Sequence, residues 1–375
     1  MAVISKCYIC NKNIIAKHSY DEHIILNALG GNLTSKSLIC RPCAVSFDKI
    51  DAALAESLNL FGLLLGITRK RGTNPSILVS TIDTGEEIYL ESGGKPVLPK
   101  KSIIIINNLD NSEQPFLYIK AKDEAQLREA LKGIKRKYSF LDVEEIVKSA
   151  VSQQMHISPV RIKILFDDKS LRSVCKMAIN FYMYHNGKRD LITHLIPYIK
   201  GECKKNKYVN YYYPDELIVT SNLKESFIHT LFIKGDPQEK ILYGYIELYN
   251  AFRLIVLLSD SYEESFLQEA YSFDVISREK VDREININLT RKEILDLVNN
   301  SEPPVKTVEK IAIAVKDLKN AIESYLRYKQ LVNDLKNILQ EAGFDEKMSQ
   351  ELIAKICDLM YRGLDSHQHN FDENY

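Results

Sequence analysis

The chain is predicted to be an α+β protein with a small metal-stapled module at its N-terminus, and three observations point there. Two C-x-x-C pairs, Cys7–Cys10 and Cys40–Cys43, stand with 29 residues between them. The central part carries β-branched and aromatic runs that follow helical patterns without a regular βαβ alternation. From Pro303 onward the apolar residues recur at helical spacing.

The elements follow in order. Asp48–Leu65 has apolar residues at Ile50, Ala53, Leu54, Leu58, Phe61 and Leu65, close to helical period. Residues 66–102 are rich in Gly, Pro, Lys and Arg, with short strands predicted at Ile77–Thr81 and Glu87–Leu90 and turns at Thr84-Gly85 and Gly93-Gly94. Ile103–Ile106 and Phe116–Lys120 read as two strands around a polar loop, and Asp123–Tyr138 as a charged amphipathic helix. Val160–Phe166 reads as a strand. Lys169–His185 reads as a helix whose inward face is Leu171, Val174, Cys175, Ala178, Ile179 and Tyr182. Antiparallel strands are predicted at Tyr208–Tyr213, Phe227–Lys234, Leu242–Tyr249 and Phe252–Leu258, with Asn250-Ala251 turning the last pair. Val308, Ile311, Val315, Leu318, Ile322 and Tyr325 form a heptad-like stripe. Ala342-Gly343 ends that helix, and Met348–Tyr361 is predicted to form another, followed by a polar tail. The implied organisation is a module over 1–65, a mixed connector over 66–155, an α+β domain over 156–300 and a helical region over 301–375.

Composition bounds the function. At 375 residues and 45% apolar content the chain can bury the cores of two or three domains. Basic and acidic residues number 50 each, so net charge makes no case for nucleic acid or membrane. The first fifty residues are locally basic. Lys6, Lys12, Lys17, Lys36, Arg41 and Lys49 face only Asp21, Glu22 and Asp48, and Arg69-Lys70-Arg71 follows. Seven cysteines, an odd number, and no secretory segment predict a reducing cytoplasmic location. No apolar run approaches the ~20 residues of a membrane helix, so no membrane partner is expected.

In that setting the paired cysteines read as a metal site rather than disulfides. Four thiolates from Cys7, Cys10, Cys40 and Cys43 complete a tetrahedral structural zinc site with no position left for water. Such a zinc holds the fold and does no chemistry. The loop it closes contains Glu22 beside His23, a carboxylate and an imidazole suited to metal-assisted hydrolysis.

The run Glu22-His23-Ile24-Ile25, Asn27-Ala28-Leu29-Gly30-Gly31, Leu33-Thr34-Ser35-Lys36, Ile39-Cys40-x-x-Cys43, with the later Phe47-x-x-Ile50-Asp51, closely resembles the zinc-stapled branch of the HNH endonucleases. The resemblance covers about 55 residues. It implies a ββα-metal module: a strand ending in the Glu-His pair, a returning loop, and a helix just after the second cysteine pair. It assigns His23 as the general base acting on water and Glu22 as a ligand of a catalytic Mg²⁺ or Mn²⁺. Ser35 takes the place of a loop-orienting asparagine. Lys36 and Arg41, with the basic run Arg69, Lys70 and Arg71, are the candidate DNA phosphate contacts.

One position departs from the family. The residue after the second cysteine pair is normally Asn or His, the second metal ligand, and here it is Ala44. A methyl group binds no cation, which leaves Asp48 or Asp21 as substitute ligands. Leu26 also stands where proline is usual. The expectation is a divalent-metal-dependent DNA endonuclease, impaired at Ala44, with a role in defence against foreign DNA and self-association through the C-terminal helices. The alternative is a catalytically inactive, zinc-stabilised DNA-binding or protein-interaction module.

Overall fold

The computed structural model of the protein describes residues 5–69, 72, 74–80, 87–97, 103–107, 116–121, 123–151, 166–203, 206–216, 218–220, 226–300 and 305–356. The chain divides into two compact units, Met1–Ala314 and Val315–Tyr375. The fold is α+β with antiparallel sheets, as the sequence predicts.

The first unit begins with β1 (Glu22–His23) paired antiparallel to β2 (Thr34–Ser35), Glu22 opposite Ser35 and His23 opposite Thr34. Three short helices follow: α1 (Arg41–Val45), α2 (Asp48–Ser57) and α3 (Asn59–Leu64). The single helix expected over Asp48–Leu65 is therefore broken, at Leu58, whose φ of −109° and ψ of 3° leave helical geometry. The break lets Asn59 turn inward, where it donates to the Pro75 carbonyl at 2.9 Å. The first helix also starts earlier than expected, at Arg41 inside the second cysteine pair, with Pro42 suited to its first turn.

A three-stranded antiparallel sheet, β3 (Ile77–Ser80), β4 (Glu87–Glu91) and β5 (Lys95–Val97), packs Val79, Ile88 and Leu90 against Leu63. The pair β6 (Ile103–Asn107) and β7 (Phe116–Lys120) follows. Next come α4 (Glu124–Lys135), capped by Asp123, and α5 (Val143–Ser149), capped by Asp142. The expected turn at Thr84-Gly85, the polar loop between β6 and β7 and the strand over Val160–Phe166 lie largely outside the described residues.

The centre of the unit is α6 (Asp168–Tyr184), capped by Asp167, followed by α7 (Ile196–Lys200). Beside α6 lies a six-stranded antiparallel sheet, in the order β14-β13-β10-β11-β12-β8. Its strands are β8 (Val209–Tyr211), β10 (Ile228–Asp236), β11 (Ile241–Leu248), β12 (Phe252–Ser259), β13 (Leu267–Asp274) and β14 (Lys280–Val281). A separate pair joins β9 (Val219–Thr220) to β15 (Glu284–Ile285). The β11–β12 hairpin closes through Tyr249, Asn250 and Ala251, with Leu248 opposite Phe252, one residue longer than expected. Tyr249 and Asn250 both adopt left-handed backbone, φ 55° and 57°.

The sheet is covered on both faces. Gly244 approaches Ala178 of α6, while its neighbours Tyr243 and Tyr245 join Phe232, Ile255 and Leu257 against Ile294 and Val298 of α8 (Arg291–Asn299). Adjacent strand residues point to opposite faces, so α6 and α8 lie on opposite sides. All eight residues of β11 are buried in consequence. Its sequence is for that reason nearly all apolar rather than alternating, and its one charge, Glu247, is paired with Arg253 and Arg283.

The last helix of the unit's chain is α9 (Val305–Glu341), which continues into the second unit. Within the second unit Leu318 and Ile322 of the heptad-like stripe are buried, whereas Val308, before the division, is 51% exposed. Gly343, at φ 86°, ends α9 as expected, and a further helix covers 346–356.

Candidate functional site

Four thiols converge where the spacing places them. The sulfurs of Cys7, Cys10, Cys40 and Cys43 all lie within 4.8 Å of one another, and among the described residues they are the group of potential ligands that could hold a metal ion. Cys10 Sγ and Cys40 Sγ are 3.8 Å apart, close to the edge of a tetrahedron built on Zn–S bonds of ~2.3 Å. Local backbone sets the first pair: Cys7 donates to the Lys12 carbonyl at 2.9 Å, and Asn11 takes left-handed φ of 60° to close the knuckle. The second pair is set by α1, where Ala44 N–H donates to the Cys40 carbonyl. Burial and the neighbouring Cys40 hold the Cys43 thiol well above the usual range. Four thiols held so close ionise together only with a cation among them, and the site fits zinc.

Between the pairs, the loop reverses over a short 3-10 turn at Asn27–Leu29. Gly30 follows at φ 92°, and a Cβ on Gly31 would lie 2.2 Å from the Ile25 carbonyl oxygen. Both glycines are required by this turn.

Glu22 and His23 share β1 but face different surroundings. His23 is half-buried, and its carbonyl accepts from Asn180 at 3.4 Å. The Glu22 side chain is only 4% exposed and meets Lys176 of α6, whose Nζ lies 2.7 Å from Glu22 Oε1. Asn180 donates to the same carboxylate at 3.0 Å and accepts from the Tyr8 hydroxyl at 2.7 Å. Lys176 also donates to Asp51 Oδ2 at 2.6 Å, and Ser173 donates to Asp51 Oδ1 at 2.7 Å. Burial pulls the Lys176 amine down, and the adjacent Asp51 and Glu22 carboxylates more than offset it, so it remains an ammonium.

Ser173, Lys176 and Asn180, at helical spacing, thus form a polar stripe on α6 that is covered by α2 and β1 rather than by water. Sequence reasoning identified the apolar face of this helix, of which Val174, Cys175, Ala178, Ile179 and Tyr182 are buried and Leu171 partly so. It missed the polar face. The signal available was a polar stripe, 173-176-180, inside an otherwise apolar helix.

The remaining predicted residues fall as follows. Ala44 is 6% exposed and presents only its methyl group. Of the two substitute ligands, Asp48 is exposed and Asp21 half-buried, and it is Asp51, not among those expected, that joins Glu22 at Lys176. Lys36 and Arg41 are exposed, as are Lys6, Lys12, Lys17 and Lys49, and among the described residues none of these six forms an ion pair. Arg69 is turned inward, donating to Asn74 Oδ1 at 2.5 Å and Asn59 Oδ1 at 3.1 Å. Lys70 and Arg71 lie outside the described residues. Ser35 accepts from the Ser37 backbone at 3.2 Å within its own loop.

Two further contacts clamp the module to the rest of the unit. Arg189 donates to the carbonyls of Tyr8 and Ile9 at 2.7 and 3.3 Å. His229 of β10 reaches the Leu29 carbonyl at 2.9 Å.

A zinc knot closing a Glu-His strand against short helices defines a nuclease-type module. Residues 7–59 match the family model of the HNH endonucleases. No curated protein and no solved structure matches the chain. HNH nuclease domains typically act on DNA, and among the described residues no helix is long and apolar enough to cross a membrane. The residues present do not fit the second metal of that family. Ala44 offers no donor, and Lys176 and Asn180 both already bond Glu22 Oε1.

Proposed function

We propose that this chain is an HNH-type endonuclease protein that engages DNA through its N-terminal module, with phosphodiester hydrolysis suppressed as the chain stands. The observation that carries the reading is Glu22 and His23 together on β1 inside the zinc knot, with a buried methyl at Ala44 where a ligand is needed. The six exposed cations support a sequence-independent phosphate grip, with Lys36 and Arg41 on the loop and helix beside the knot. His23 keeps the role of general base. Mg²⁺ or Mn²⁺ belongs to a form with a donor at position 44 and a free Glu22 carboxylate.

The engagement of Glu22 by Lys176 favours the second reading, a module that binds DNA and has lost hydrolysis. Around it we propose a signal- or substrate-recognising domain over 156–300, joined through 66–155, and self-association through 301–375, where Val308, Leu331 and Ile338 of α9 are exposed. A nuclease module governed by so large an accessory region suits regulated action on foreign DNA in the cytoplasm.

The test is a plasmid assay with Mg²⁺ or Mn²⁺ run beside DNA binding at several salt concentrations. Salt-sensitive binding without nicking is expected. Strong metal-dependent nicking by the unaltered chain, or no binding at low salt, overturns the reading. Light scattering at micromolar concentration tests self-association, and a monomer removes that part.

A further inference from the structure

We infer that Lys176 replaces the divalent cation of this module, its ammonium serving as the permanent counter-ion of Glu22 and Asp51. The inference rests on the HNH reading of the N-terminal residues and concerns the same carboxylate.

The geometry is that of a built cation site. Two carboxylate oxygens, from β1 and α2, converge on one nitrogen at 2.7 and 2.6 Å. The nitrogen is sunk in the fold, with its side chain 3% exposed, and stands 5.8 Å over the Phe47 ring. Asn180 donates to the same Glu22 oxygen that Lys176 holds, and Ser173 donates to the second oxygen of Asp51. Lys176, Asn180 and Ser173 all come from α6, more than a hundred residues beyond the module. The accessory region therefore supplies the positive charge that the module lacks.

An ammonium and a metal ion differ in what they can do there. Lysine brings one unit of charge and three donors on a tether. It holds the carboxylates, but it has no exchangeable position for water or a phosphate oxygen and does not act as a Lewis acid. A divalent ion entering at Glu22 would have to displace a buried ammonium from the carboxylates that neutralise it, which is strongly unfavourable. Alanine at position 44 fits the same state, since a module already neutralised from α6 has no use for a ligand on α1.

The test uses the full-length, zinc-loaded chain without nucleic acid, with Mn²⁺ as the probe, read by the loss of the free-ion EPR signal. Wild type and Glu22→Gln are expected to behave alike, with no uptake attributable to Glu22. Lys176→Met is expected to gain Mn²⁺ affinity by roughly 10–100-fold, the range that groups bonded to a metal's ligands are worth. Adding Glu22→Gln to Lys176→Met removes that gain. Mn²⁺ binding by wild type that Glu22→Gln abolishes overturns the inference, as does a folded, zinc-retaining Lys176→Met chain that binds no Mn²⁺. If Lys176→Met fails to fold, the comparison of wild type with Glu22→Gln decides alone. Failure to bind DNA bears on the functional reading and leaves the Mn²⁺ result standing.

Discussion

The imidazole of His229, on a central strand of the sheet, donates from Nε2 to the Leu29 carbonyl 2.9 Å away, while its Nδ1 accepts from the Tyr249 backbone at 3.1 Å. The two bonds fix the neutral tautomer and tie the loop of the zinc module to the six-stranded sheet. Burial moves this histidine from its ordinary 6.5 down to about 4, against a smaller upward pull from the Leu29 carbonyl, Asp274 and Glu247.

The sign follows from which state takes the proton. Above the unfolded value neither state is charged. Between that value and about 4 the unfolded chain binds a proton that the folded chain refuses. Stability should therefore fall as the pH drops through this window, by about 2 kcal/mol between pH 7.5 and pH 5 from this group. Urea unfolding of wild type and His229→Gln at the two pH values checks it. The variant should lose less stability on acidification, and parallel losses would refute the assignment.

Zinc should be present at about one ion per chain, bound through Cys7, Cys10, Cys40 and Cys43. Elemental analysis measures it. Cys40→Ser should lose the metal, and chelation should lower the melting temperature, because Tyr8 between the first two ligands carries Asn180 and thereby α6. A metal-free chain with an undisturbed melt would count against the site.

Removing one partner from a buried pair leaves an uncompensated charge. Lys176→Ala should destabilise the chain by ~3–5 kcal/mol, far more than truncation of an exposed lysine such as Lys49. Chemical denaturation of the two variants gives the comparison. A loss below ~1 kcal/mol, the range of surface pairs, would mean that the pair is hydrated.

Cleavage should need two changes. The sequence alone suggests that Ala44→Asn restores activity, but Glu22 remains bound to Lys176 in that variant. Nicking in Mg²⁺ or Mn²⁺ should stay low with Ala44→Asn and rise when Lys176→Met is added. His23→Ala on that background should then cut the rate by ~10²–10⁴-fold. Full activity from Ala44→Asn by itself would show that the lysine yields to metal.

DNA affinity should fall steeply with salt, as log K declines by ~0.9 per log unit of salt for each phosphate neutralised. Replacing Lys36 and Arg41 together should weaken binding on any sequence and flatten that slope by ~2. Filter binding across a salt series measures both, and an unchanged slope would move the contact elsewhere.

Much of the fold was legible because its signals are local. The β11 and β12 runs, Ile241–Leu248 and Phe252–Ser259, are predominantly apolar stretches around a short turn, and sequence reasoning found them to within a residue or two. The strand Leu267–Asp274, next to the edge, was missed. Its first half, with an exposed Gln268 and a half-buried Glu269, lacks the apolar content that marks its buried neighbours. The break at Leu58 was also illegible, since its periodicity runs unbroken through the residue that packing bends.

The candidate site divides the same way. The sequence by itself determined the four cysteines of the metal group, the adjacency of Glu22 and His23, and a methyl at Ala44 where the resemblance expects a donor, because each is a short-range pattern of residue types. Only the tertiary structure decided what Glu22 faces. A lysine at position 176 of an amphipathic helix reads as a solvated charge, and nothing local says otherwise. It is buried because α6 lies between the zinc module and the sheet, so both of its faces are covered, and its polar stripe must find partners in protein instead of water.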